Sequence, residues 1–74
     1  MSDPFRWSIM NWKVAELYRL RLGQPDNAIP FYVKIITESP RSDHTWSARQ
    51  RIKTLTGRPW SEVVTEHTTE HMAP

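Results

Sequence analysis

Seventy-four residues with no cysteine and a formal net charge of +2 bound the protein to one domain and exclude both a disulfide framework and thiolate metal sites. A chain this short hides only about 60% of the surface it exposes when unfolded, so its stability margin is thin and rests on large side chains or on a partner. Four tryptophans, Trp7, Trp12, Trp46 and Trp60, serve either purpose: each ring can bury roughly 150–250 Å² in a core or anchor an interface.

The first segment, FRWSIMNWKVAELYRLRLG, predicts a helix over about 5–22. It has no internal glycine or proline, Pro4 fits the first turn and Gly23 supplies a left-handed stop. At 100° per residue Phe5, Ile9, Trp12 and Leu20 form one apolar stripe, while Trp7, Val14 and Tyr18 form a second, roughly opposite. A helix apolar on two sides is packed on two sides, which predicts self-association or a bound partner. In GQPDNAIPFYV, Asp26 and Asn27 are both good N-caps, and a cap at Asn27 makes Pro30 the third helical residue, where its missing N–H costs nothing. A helix over about 27–39 follows, with Ala28, Ile29, Phe31, Tyr32, Val33, Ile35 and Ile36 filling a broad buried arc. The β-branched run also suits a buried strand, but no second strand candidate exists to pair with it.

After SPRS, Ser42 or Asp43 caps a third helix over about 43–56, closed by Gly57. Its apolar stripe is Ala48, Ile52 and Leu55, and across from it stand Trp46, Arg49, Gln50 and Lys53. The last stretch, RPWSEVVTEHTTEHMAP, predicts a short helix capped by Ser61. Residues 1–66 thus read as one all-α domain and 67–74 as a frayed or disordered tail.

With these elements placed, residues 23–40 resemble the tetratricopeptide repeat, a 34-residue helix-turn-helix unit: Gly23, Ala28, Ile29, Tyr32, Lys34 and Pro40 stand at the family's spacing, and Trp12 at its first-helix Trp position. Ala15, Glu16 and Arg19 depart from the pattern. A shift of 34 residues superimposes Trp12 on Trp46, Gly23 on Gly57, Pro25 on Pro59 and Pro40 on Pro74, although Arg49, Gln50 and Lys53 make the second unit a solvating or capping helix. The resemblance implies a peptide or helix as partner, lying against an amphipathic face.

For catalysis the chain lacks a glycine-rich phosphate loop and a cysteine nucleophile, and no enzyme activity or cofactor is expected. In EHTTEH, His67 and His71 share a helical face, but a stable zinc site needs a third ligand and usually a fourth, so no metal is expected either. No apolar run approaches the roughly 18 residues of a membrane span, and MSDPFRW has no secretory apolar core, so a soluble, cytoplasmic protein is expected.

Charge is unevenly placed: residues 1–40 carry five basic and four acidic side chains, residues 41–60 five and one, and residues 61–74 none and three. Arg41, Arg49, Arg51, Lys53 and Arg58 around Trp46 could track a phosphate backbone while the indole stacks on a base. The alternative is that Arg49 and Lys53 cover the Trp46 ring as cation-π partners. The expected role is a small protein-protein interaction module, an adaptor, an assembly factor or a subunit of a larger complex. Its contact patches are Trp7, Val14 and Tyr18 on one side and Trp46, Arg49 and Lys53 on the other. Nucleic-acid binding through the basic helix is the second reading.

Overall fold

The computed structural model describes the backbone of residues 4–72 and the side chains of residues 6–69. Four helices, α1 (Pro4–Glu16), α2 (Pro25–Glu38), α3 (Asp43–Thr56) and α4 (Trp60–Met72), make an all-α fold, with no strand among the described residues.

The first helix does not end as an α-helix. It continues from Leu17 to Arg21 as a π-helical turn, closed by the Leu22 N–H on the Leu17 carbonyl at 3.1 Å and the Gln24 N–H on the Tyr18 carbonyl at 2.9 Å. The carbonyls that a helix end would leave unpaired are thereby partly satisfied before Gly23, at φ +59°, turns the chain.

One expectation fails at the start of α2. The helix begins at Pro25, with Gln24 as its cap residue, because a proline at the first helical position brings a preset φ and loses no hydrogen bond. Asn27 is already inside and donates its side-chain N–H to Gln24 Oε1 at 2.8 Å. Pro30 therefore lies within the helix, five residues after its first, and the Asp26 carbonyl loses its intrahelical donor. Asp26 and Pro30 are both exposed, so water can reach that carbonyl.

Chemistry at both ends of α3 matches its sequence. Ser42, in an extended conformation, accepts the His44 N–H on its hydroxyl, and Gly57 closes the helix at φ +70°. The fourth helix starts one residue before Ser61, with the Pro59 carbonyl accepting from Glu62 and Val63. It is 13 residues long rather than short. The expected tail thus falls within α4 as far as Met72, and residues 73 and 74 lie outside the described residues.

α1 and α2 are antiparallel: Trp7 reaches Glu38 and Tyr18 stacks on Phe31. α3 runs parallel to α1 on another side of α2, with Ser42 donating to Ser8, His44 stacked on Trp12 and Arg51 bonded to Glu16. α2 touches all three other helices and supplies most of the core: Ala28, Tyr32, Val33, Ile35 and Ile36 are buried, joined by Ala15, Ala48, Ile52 and Val63.

The buried line of α1 is Ser8, Asn11 and Ala15, at i, i+3 and i+7, and neither predicted apolar stripe coincides with it. Small and polar side chains here let α1 approach α2 and α3 closely. The buried line falls between the two stripes, with half-buried Trp12 and Tyr18, one from each, flanking it, while Trp7 and Leu20 stay exposed.

Candidate interaction surface

Two regions of α1 carry the distinctive geometry, and the first is a junction of three helices. Trp12 meets Tyr32 of α2 edge-on at 5.6 Å and stacks on His44 of α3 at 5.2 Å, with the Arg51 guanidinium 5.6 Å from its ring centre. One turn later, Glu16 Oε1 accepts from the Tyr32 hydroxyl at 2.5 Å, Arg51 Nε at 3.2 Å and Arg19 Nε at 3.3 Å, and Oε2 accepts from the Arg19 guanidinium at 2.7 Å. Burial alone would raise the Glu16 pKa, but the hydrogen bonds from Arg19, Tyr32 and Arg51 outweigh it and hold the carboxyl at about 2. Burial, followed by donation to Glu16, pushes the Tyr32 phenol up to about 12. A carboxylate so fully engaged is a clamp between helices rather than a base.

The second region is the outward face of α1. Trp7, Met10, Val14 and Leu17 follow one another at intervals of three, four and three residues, so at 100° per residue they fall within an arc of about 80°. Met10 is 58% and Leu17 47% exposed. Trp7 is also exposed, its indole N–H donating to Glu38 Oε1 at 3.1 Å, and Val14 is half-buried. This spacing is that of the a and d positions of a heptad, with Arg6 and Lys13 in the g positions on one edge. Among the described residues neither Arg6 nor Lys13 has an ion pair. Leu20 and Leu22, past the start of the π turn, extend the exposed apolar surface.

Of the first predicted patch, the structure therefore places Trp7 and Val14 on one exposed arc and turns Tyr18 toward α2, where it stacks on Phe31 at 5.6 Å. Met10 and Leu17, which sequence reasoning did not single out, complete the arc. The signal that finds them is the 3-4-3 spacing, invisible when residues are sorted onto two opposed stripes.

The second predicted patch separates. Trp46 is 66% exposed and Lys53 is exposed on the same side of α3, whereas Arg49 packs its guanidinium 4.2 Å from the centre of the Trp60 ring. The cation-π partner of Arg49 is thus Trp60 of α4, and the expectation that it covers Trp46 is corrected. Arg49 Nε is buried there without a hydrogen-bond partner. Arg58 is clamped by Glu62 and Glu66, each at 2.6 Å, an arrangement that raises the Arg58 pKa and lowers that of Glu66.

Between α2 and α4 an open groove of about 320 Å³ is lined by Pro30, Val33, Lys34, Thr37, Glu38, His67 and Thr68. Among the described residues no group of three or more His, Asp or Glu side chains is placed to hold a metal ion; the side chains of Glu70 and His71 lie outside them. No helix among the described residues is long and apolar enough to cross a membrane. No family model, curated protein or solved structure matches the chain.

Proposed function

We propose that the protein is a small helical protein-protein interaction module whose docking face is the outward side of α1. The observation that carries this reading is the heptad-spaced set of exposed Trp7, Met10 and Leu17 with half-buried Val14, on a helix whose other side is already buried against α2 and α3. Large apolar side chains left at helical spacing on a rigid element suit a helix packed alongside. The parallel placement of α1 and α3 adds support for a reduced tetratricopeptide-like unit: Ser8 and Ser42 meet 34 residues apart and Glu16 and Arg51 35 residues apart, close to the period of that repeat.

A photoreactive residue at position 10 or 17 tests the proposal. Irradiation in an extract of the source cells should yield protein adducts from both positions and far fewer from position 34 on α2. Equal yields from all three would remove α1 as the docking face.

Exposed Trp46, with exposed Lys53 on the same side of α3 and exposed Arg41 in the preceding turn, favours nucleic-acid binding as a second reading. Support for it is reduced because Arg51 and Arg58 are held by Glu16, Glu62 and Glu66, and Arg49 by Trp60. Adducts to nucleic acid from position 46, lost steeply as salt is raised, would favour this reading over the first.

A further inference from the structure

We infer that the partner of the α1 face is an amphipathic helix with acidic flanks, rather than a second copy of this chain or a lipid surface. This rests on the reading of α1 as a docking face, and the charge around the apolar seam supplies the next step. Arg6 and Lys13 stand at successive g positions beside Trp7 and Val14. Glu16 is the only acidic residue between Pro4 and Pro25, and it is turned to the opposite side of the helix, where Arg19, Arg51 and Tyr32 occupy its oxygens. The g edge of the seam is therefore lined by cations, while Glu38 of α2 stands at the Trp7 end of the other edge.

A second copy is a poor occupant. In an antiparallel pairing g faces g, which sets Arg6 and Lys13 against the same residues of the other copy. In a parallel pairing g faces e, where Asn11 and Tyr18 stand: Asn11 is buried and Tyr18 is stacked on Phe31. Neither arrangement sets an acidic residue of α1 against Arg6 or Lys13. A helix with apolar a and d residues and Glu or Asp at e and g supplies one in either direction. The 3-4-3 spacing suits interdigitation with a facing helix, and the vesicle arm of the test separates that from an interfacial helix, which needs only an apolar side.

The test uses two fluorescein-labelled 21-residue peptides with leucine at every a and d position, one with glutamate at all e and g positions and one with lysine there. Anisotropy titrations with the full chain should show the glutamate peptide binding at least tenfold more tightly than the lysine peptide, with a preference that shrinks as salt is raised. The double variant Met10→Glu/Leu17→Glu should lose binding while its far-UV circular dichroism stays that of the parent, since both side chains are exposed. Reversal by Arg6→Glu/Lys13→Glu should invert the preference.

Equal affinity for the two peptides would overturn the acidic partner and leave helix docking standing. Binding of neither peptide would overturn the inference, while crosslinks from position 10 decide separately whether the face docks a protein. A dimer of the parent chain in sedimentation that Met10→Glu dissolves would overturn it in favour of self-pairing. Binding to phosphatidylcholine-phosphatidylglycerol vesicles more tightly than to the glutamate peptide would overturn it in favour of a membrane surface.

Discussion

Replacing Glu16 with Gln should remove a large share of this small protein's stability at neutral pH, and the loss should fade only as the pH falls below the ordinary carboxylate range. The carboxyl ionises at about 2 in the folded chain against an ordinary 4.5. A group whose folded pKa is depressed contributes stability that is present above its unfolded value and is lost as pH falls toward the folded value. At roughly 1.4 kcal/mol per pH unit, the full difference corresponds to about 3 kcal/mol. Glu16 is only 18% exposed, but Arg51 is 39% exposed, so solvent screens part of the attraction and about 2 kcal/mol is the expected effect. A core this size supplies about 3–5 kcal/mol in all.

With an m value near 1 kcal/mol/M, urea unfolding followed by circular dichroism should show the Glu16→Gln midpoint about 2 M below the parent at pH 7. Lowering the pH from about 4.5 toward 2 should close that gap, because the parent then protonates the same carboxyl. Other carboxylates titrate in both proteins and cancel in the comparison. A gap that stays constant down to pH 2, or that is absent at pH 7, would refute the clamp.

Ser42→Ala removes the cap of α3 and the hydroxyl that donates to buried Ser8; thermal unfolding should report a loss of about 1–2 kcal/mol. Pro30→Ala restores a donor for the Asp26 carbonyl, and the gain of up to about 3 kcal/mol, offset by about 0.4–1 kcal/mol of added unfolded-state freedom, should raise the urea midpoint. Arg49→Met keeps an apolar stem on Trp60 and removes the unpartnered Nε, so it should stay within about 1 kcal/mol of the parent. Arg49→Ala strips the ring and should cost about 1 kcal/mol more, with a red shift of tryptophan emission.

How far the fold was legible depended on whether the deciding chemistry was local. The boundaries of α3 were readable because a serine hydroxyl at one end and a left-handed glycine at the other act within a few residues. The start of α2 was not, because Pro25, Asp26 and Asn27 each supply a valid start signal, and a preset φ at Pro25 outweighs a side-chain cap two residues later. The packed line of α1 escaped detection because periodicity searches look for bulk, whereas Ser8, Asn11 and Ala15 are buried for their smallness. At the candidate site, Trp7 and Val14 were legible as members of a second apolar stripe. The pairing of Arg49 with Trp60 joins two helices and leaves no trace in the spacing along either one, and the grip of Arg19, Tyr32 and Arg51 on Glu16 is equally a product of tertiary structure.

The placement of α2 governs how the molecule comes apart. α1, α3 and α4 all rest on it, and among the described residues α1 and α4 do not meet. A stacked array can shed an end unit and keep the remainder, since each unit leans only on its neighbours. Here the second helix is a keystone: once its amides open, the two outermost rods keep only their smaller contacts with α3. Hydrogen exchange along Tyr32–Ile36 should therefore proceed at the rate of whole-molecule unfolding, and a chain severed between Ser39 and Ser42 should recover its shape only when both pieces are mixed.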